Sequence, residues 1–495
     1  MRDYSFGNFL HELRERCGLS QYQLGALVGV SNKAVSKWEN GSAKPQSRIL
    51  YKLSDVLGVT VDELLACKYR SPESGNTKGV FAMKKKLWKN VQQALQNLYG
   101  DMPPIEVHNR CLSECAELQY SDMIVYLDML GKISNLANDR GEHIQVKGIT
   151  GASFIAYLIG ATEINPLKPH YYCPHCRKIE FSDQASDGWD LPEKQCSCGT
   201  PFLRDGHNLA FETLRFSIHQ NVHLDLSVSH GFYPTVKETI RTYFDGNTAV
   251  SLVKQDQPNF ERIVILRDKL SDIANGQTLP FEEYYDKLKQ YPAVTLTVSE
   301  EPDAYRKLEE KTKTSFADVP FATKEVLEAF IQSDKQGIPE FRTQFFKDMA
   351  NEAHPKTFHD IIQLAGLSHG TGVWTDNAQR LIQSGVPVGK VIAYRDDVFH
   401  YIQEKMQAKN ISGTGYAYQI MYSTFRGAFA KDGMSGKMKQ QLSALGMEEW
   451  FAESLEKIRY VFPKAHGVLY VKYALILMWY KVYYPKEFAV CMQTI

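Results

Sequence analysis

Two cysteine pairs, Cys173-Pro-His-Cys176 and Cys196-Ser-Cys198-Gly199, constrain this chain more than any other feature. Thiols on two short turns separated by a loop are the pattern of a structural four-cysteine zinc site, which closes a small ribbon that has little apolar core of its own. Cys173, Cys176, Cys196 and Cys198 are therefore the candidate ligands, within a module spanning residues 165–205. The second pair is one residue shorter than the first, so His170 and His175 stand as alternative donors. A relic knuckle with reduced, unmetallated thiols is the alternative to the metal. The cysteine total of 9 is odd, which fits a reducing compartment and a metal better than a set of disulfides.

The module lies between two further pieces of site chemistry. Ahead of it, Lys147-Gly148-Ile149-Thr150-Gly151-Ala152-Ser153 is a glycine turn leading into an apolar helix, an arrangement that offers backbone N–H groups to a phosphate. Behind it, Val222-His223-Leu224-Asp225-Leu226 is an alternating strand. Alternation puts positions 223 and 225 on one face, the spacing at which two carboxylates jointly hold a pair of Mg²⁺ ions.

With Asn165-Pro-Leu-Lys-Pro-His-Tyr-Tyr-Cys173, Asp205-Gly206-His207 and Phe211-Glu212-Thr213 between them, these pieces resemble the PolC-type alpha subunit of bacterial DNA polymerase III. The resemblance starts near Tyr99 and is strong again from Asp318, through Gly337 to Phe341, Gly366 to Trp374, Asn377-Ala-Gln379, Arg395-Asp-Asp397 and Phe462-Pro-Lys-Ala-His466. It implies a polymerase-III-like palm with a mixed sheet, followed by helical fingers. Lys147, Gly148, Gly151, Ser153, Lys464 and His466 then correspond to ancestral nucleotide-binding positions, with Lys464 and His466 near phosphates. The family's palm strand carries two aspartates where this chain has His223 and Asp225, and the third metal-binding aspartate best matches Thr297 in Val294-Thr-Leu-Thr-Val298. Mg²⁺ takes hard oxygen ligands and a neutral imidazole is a poor replacement. Asp225 is left as the remaining catalytic carboxylate of a degenerate site, and the chain leans away from being an enzyme. Zinc is the expected structural cofactor, and Mg²⁺ is expected only if the site is active, with Asp245, Glu300 or Glu301 joining Asp225. The resemblance also implies a truncated body, without the family's phosphoesterase-like and proofreading domains before the palm or its clamp-binding part after the fingers.

Residues Phe6 to Ala66 read as a run of short helices. Ser20 caps one and Ser31 caps the next, with Gly29-Val30-Ser31 as the tight turn between them. The string Leu19-Ser-Gln, Leu27-Val-Gly-Val-Ser31 and Val35-Ser-Lys-Trp-Glu-Asn-Gly41 resembles the Cro/repressor (XRE) helix-turn-helix family. It implies that Ala34, Val35 and Trp38 face the core while Gln21, Asn32, Lys33, Ser36 and Lys37 point at the major groove or its phosphates.

The expected fold is multidomain α+β and predominantly helical: an all-α helix-turn-helix head over 1–67, a linker over 68–86, a palm and thumb with the cysteine module over 87–317, and helical fingers over 318–495. Lys+Arg and Asp+Glu both number 57, so any nucleic-acid surface must be local. No apolar run reaches membrane-spanning length, and no membrane partner is expected. The leading functional expectation is a cytoplasmic, nucleoid-associated DNA-binding protein, a regulator or a competitor at replication and template DNA. Its head would bind an operator as a homodimer and its body primer-template or single-stranded DNA. The alternatives are an active DNA-directed DNA polymerase without proofreading, and a replicase mimic that binds a replisome component in phage or mobile-element conflict.

Overall fold

The computed structural model describes residues 4–16, 20–28, 30–57, 59, 61–67, 77–118, 121, 123–214, 222–244, 249–266 and 277–492. The fold is multidomain α+β, with a helical head, a mixed sheet and a helical C-terminal region. No helix among the described residues is long and apolar enough to cross a membrane.

The head is built from α1 (Tyr4–Arg16), α2 (Gln21–Val28), α3 (Asn32–Glu39), α4 (Ser47–Leu57) and α5 (Val61–Ala66). Ser31 sits in extended backbone and its hydroxyl accepts from the Ala34 N–H, satisfying one of the open donors at the start of α3. The apolar spacing of α3 then carries Val35 and Trp38 into a core with Leu10, Leu13, Leu24 and Leu53. Each large side chain buried in this way contributes about 2 kcal/mol, which is what holds such short helices together.

Helix α6 (Thr77–Tyr99) begins inside the segment expected to be a linker, so residues 77–86 are helical; residues 68–76 lie outside the described set. By compactness the chain divides into two units. One comprises the head with residues 370–380 and 392–462, and the other residues 78–369, 381–391 and 463–495. The stretch 318–495, expected as a single finger domain, is therefore shared between the two units.

The second unit is organised on a six-stranded sheet. Its strands are β1 (Ile144–Lys147), β5 (His223–Val228), β6 (Ala249–Val253), β7 (Phe260–Ile265), β8 (Thr278–Pro280) and β9 (Ala293–Val298), in the spatial order β1-β5-β9-β7-β6-β8. Strands β5 and β9 run parallel, while β1 and β7 flank them antiparallel. Alternation sends Leu224, Leu226, Val294, Leu296 and Ile263 into one core, against the helices Met123–Asp139 and Tyr233–Tyr243. The opposite face is divided: Val250, Leu252, Val264 and Ala293 form a second apolar cluster with Leu288, and Lys147, His223, Asp225, Thr295 and Arg262 lie on the same face. A separate three-stranded sheet, β3-β2-β4, made of β2 (His170–Tyr172), β3 (Ile179–Phe181) and β4 (Leu203–Asp205), carries the cysteine turns.

Candidate functional site

On the open face of the large sheet, Lys147, Asp225, Thr295 and Arg262 form one transverse row across β1, β5, β9 and β7. Lys147 pairs with Asp225, Asp225 with Thr295, and Thr295 with Arg262. Residues opposite one another on adjacent strands sit side by side, so the four groups are electrostatic neighbours. Thr297, expected in place of the third carboxylate, instead pairs with Ser227 and Phe260. The residue level with Asp225 is Thr295, which hydrogen-bonds its carboxylate. Thr297 is two positions removed on the same strand face, so the threonine that neighbours Asp225 across the strands is Thr295.

His223 lies on the same face as Asp225. The Arg262 guanidinium donates to its Nδ1 at 2.7 Å, which makes that nitrogen an unprotonated acceptor. Burial and the Arg262 charge together push the imidazole down to about 4. Arg262 is 9% exposed and has Tyr285 at 5.7 Å; its Nε has no hydrogen-bond partner among the described residues. At Asp225 the packed surroundings raise the carboxyl above its ordinary value, against the pull of the Thr295 hydroxyl, Arg262 and Lys147, although the side chain still reaches solvent.

Two of the three carboxylates offered as replacements have other neighbours. Glu300 lies 3.7 Å from His230, Glu301 accepts from the Tyr305 hydroxyl at 3.0 Å, and Asp245 is outside the described residues. Among the described residues two sets could hold an ion, the four cysteines and His230, Glu300 and Asp303; Asp225 is in neither.

The glycine turn is also engaged by the protein itself. Gly148 has φ of +85°, the left-handed backbone that favours glycine, and its N–H donates to His466 Nδ1 at 3.0 Å. The N–H groups of Phe154 and Ile155, at the start of α9 (Phe154–Leu158), donate to the Glu114 carboxylate at 2.9 and 3.1 Å. The Ser153 hydroxyl donates to Glu114 at 2.8 Å and accepts from the Ala156 N–H. Arg110 holds Glu114 at 2.5 Å, and both Ser153 and Gly151 are buried. An internal carboxylate thus stands where the turn was expected to receive a phosphate. Lys464, expected near phosphates, is 5% exposed; its Nζ donates to the His207 carbonyl at 3.2 Å and lies close enough to Asp187 to favour that carboxylate's charge. His466 remains beside Lys147, both of them against Tyr470, with ring centroids 4.4 Å apart for His466 and Nζ at 5.7 Å for Lys147.

The four thiols do converge. Cys173, Cys176, Cys196 and Cys198 place their sulfurs within 4.8 Å of one another, with Cys173 and Cys198 3.5 Å apart and Cys176 and Cys196 3.4 Å apart. A tetrahedral zinc with bonds of about 2.3 Å sets sulfurs roughly 3.7 Å apart, so the donor set fits that ion. The short Cys-x-Cys turn closes because Gly199 takes φ of +87°, its N–H donating to the Cys196 carbonyl while the Cys196 N–H donates to Thr200. No histidine is needed: His170 is buried, with Nδ1 bonded to the Lys168 carbonyl at 2.7 Å. Beneath the ribbon the buried His207 and Asp187 pair at 2.8 Å.

In the head, Asn32, Lys33 and Lys37 are exposed on α3 and Ser36 is half-buried, over the buried Val35 and Trp38. Gln21 is placed differently, since its Nε2 donates to the Glu39 carboxylate at 2.9 Å. Glu39 also takes Arg14 at 2.5 Å, and both side chains are almost fully buried. Burial opposes the Glu39 charge, but the bonds from Arg14, Gln21 and His11 outweigh it and hold the carboxyl below its usual value. Sequence reasoning missed this pair, as it missed Arg262, Thr295 and Glu114. The charged pair Glu261-Arg262 at the start of the apolar run Ile263–Leu266 is the sequence signal for Arg262.

Three family models match the chain: "Helix-turn-helix" over residues 10–64, "Bacterial DNA polymerase III alpha NTPase domain" over 85–273, and "Bacterial DNA polymerase III alpha subunit finger domain" over 295–423. Similar proteins include the DNA polymerase III PolC-type of Ureaplasma parvum serovar 3, 30% identical over 480 residues, which cover 80% of this chain and 32% of that protein. The PolC-type enzyme of Streptococcus mutans serotype c is 32% identical over 469 residues, or 78% of this chain and 31% of the other. The chain spans about a third of the length of the curated relatives it matches. A helix-turn-helix head joined to PolC-like polymerase segments, as the sequence motifs indicated, is borne out.

Proposed function

We propose, from a helix-turn-helix head joined to PolC-like polymerase segments, that this is a DNA-binding protein whose polymerase body is catalytically silent. It acts as a regulator, or as a competitor at replication and template DNA, in the cytoplasm. The observation that carries the reading is the transverse row on the palm sheet. Joint metal binding needs several carboxylates around one point, and here Asp225 has Lys147 on one side, and Thr295 and then Arg262 on the other. Among the described residues, those around Asp225 do not fit a pair of Mg²⁺ ions.

The head supports the DNA-binding half. Exposed Asn32, Lys33 and Lys37 on a capped helix can read a few base pairs and neutralise phosphates, and a unit of this size reaches a useful affinity as a homodimer on a two-fold site. In the body, the four cysteines fit a structural Zn²⁺, which when bound would close the ribbon over β2, β3 and β4. Primer-template, single-stranded DNA or a replisome component are the partners proposed for that body.

The test of the head is binding to a selected inverted-repeat duplex across a salt series. Lys33→Ala with Lys37→Ala should weaken affinity by about 1–2 kcal/mol and lower the slope against salt by roughly two counterions. Unchanged affinity and slope would remove α3 as the recognition helix.

A further inference from the structure

We propose that Arg262 and Lys147 are resident cations that take the place of divalent metal on the palm sheet, neutralising Asp225 from within the protein. The inference rests on the silent-palm reading and extends it. Replacement of carboxylates explains why a metal would be held weakly; the row shows in addition that positive charge has been built into the same place.

Lys147 and Asp225 are cross-strand partners, and Thr295 separates Asp225 from Arg262 by a single strand. Arg262 reaches back over β9, with Nη1 3.5 Å from Thr295 Oγ1 and Nη2 2.7 Å from His223 Nδ1. The guanidinium thereby touches both of the positions that depart from carboxylate, and it is 9% exposed, so its charge is poorly screened by water. With His223 neutral, the row carries two fixed positive charges and one negative charge before any ion arrives. Within the row itself a divalent cation meets more positive than negative charge, and Glu340, near enough to Lys147 and His466 for them to favour its charge, is already matched by those groups and by His369. The Arg262 Nε, buried and without a hydrogen-bond partner among the described residues, leaves one donor of this cation open toward an acceptor.

This separates Arg262 from the two substitutions around it. If the loss of carboxylates alone closes the site to metal, His223→Asp with Thr295→Asp restores Mn²⁺ binding. If Arg262 is the resident cation, that double variant forms an internal Asp–Arg pair and stays closed until the arginine is also removed. The measurement is Mn²⁺ binding to the full chain by electron paramagnetic resonance, with thermal unfolding recorded for each variant. His223→Asp/Thr295→Asp/Arg262→Gln should bind Mn²⁺ at least ~10-fold more tightly than the double variant. His223→Asp/Thr295→Asp/Arg262→Lys, which keeps the charge, should behave as the double variant. Adding Asp225→Asn to the triple variant should abolish the gain, which distinguishes this site from the exposed His230, Glu300 and Asp303 cluster. Equal Mn²⁺ affinity in the double and triple variants overturns the proposal, and so does a folded triple variant that binds no better than wild type. Failure of the underlying reading has a different signature: primer extension by the wild-type protein that disappears in Asp225→Ala.

Discussion

The cysteine module and the palm row lie on neighbouring stretches of the same unit, and their side chains suit a metal ion to different degrees. In the module both scaffold and donors are in place: four sulfurs within 4.8 Å, a Gly199 turn that closes the short Cys-x-Cys, and a buried Asp187–His207 pair underneath. In the palm row the strands are in place, with β5 and β9 parallel and in register, but the side chains around Asp225 are His223, Thr295 and Arg262. The difference follows from how each scaffold is held. A sheet keeps its register through the apolar side chains on its other face, and Leu224, Leu226, Val294 and Leu296 hold the strands whether or not the open face can bind a metal. A structural metal site has no such independence, because its ribbon has only the small cluster of Tyr171, Leu191 and Phe202 with the cysteines themselves.

The largest effect expected from this contrast is catalytic. Wild-type protein given a primed template, nucleotide triphosphates and Mg²⁺ or Mn²⁺ should show no extension above background, a deficit of at least roughly three orders of magnitude, or about 4 kcal/mol, against an intact palm. Asp225→Ala should leave that background unchanged. Extension that depends on Asp225 breaks the comparison, because the two sites would then be equally intact.

The module should respond in the opposite sense. Purified protein should contain about one Zn²⁺ per chain, and Cys173→Ser should lower both metal content and the melting temperature. The local cost, on the order of 5 kcal/mol, would be read as lost hydrogen-exchange protection in β2, β3 and β4. Protein without zinc whose protection is unchanged in chelator would show that the apolar cluster alone holds the ribbon.

A smaller effect sharpens the same point beneath the cysteines. Asp187 is fully buried, and although burial opposes its charge, His207, Lys464 and the Trp189 N–H hold its carboxyl below the usual value. A depressed carboxylate contributes stability that is present above its unfolded value of about 4 and is lost as pH falls through the folded value. Asp187→Asn should therefore cost about 3 kcal/mol at neutral pH, by removing the buried carboxylate charge that His207 and Lys464 face, and should flatten the acid limb of the unfolding profile. An unchanged acid limb in this variant would assign the pH dependence to other carboxylates. The same network explains Lys464, which was expected at a phosphate: its ammonium is a buried internal donor to the His207 carbonyl.

Much of this protein was legible in its sequence because the signals are local. Ser31 followed by Ala34, Val35 and Trp38 specifies a capped helix with one buried face, and the cysteine spacing with Gly199 specifies two turns that bring sulfurs together. Strand alternation put His223 and Asp225 on one face, and the structure places them there. What the tertiary structure alone decided are the relations between distant segments. Thr295 and Thr297 share a face, so alternation cannot tell them apart; the register of β5 against β9, fixed by packing of the whole sheet, sets Thr295 level with Asp225. The glycine turn reads locally as a phosphate cradle, yet Glu114, contributed by α7 (Ile105–Leu118), reaches the N–H groups that follow it. Arg262 became part of the palm site because β7 pairs with β9, a juxtaposition of segments far apart in the chain that no local pattern encodes. Local propensity and spacing depend on neighbours along the chain, whereas charge neutralisation in a sheet depends on which strands lie side by side, and that is settled only when the core closes.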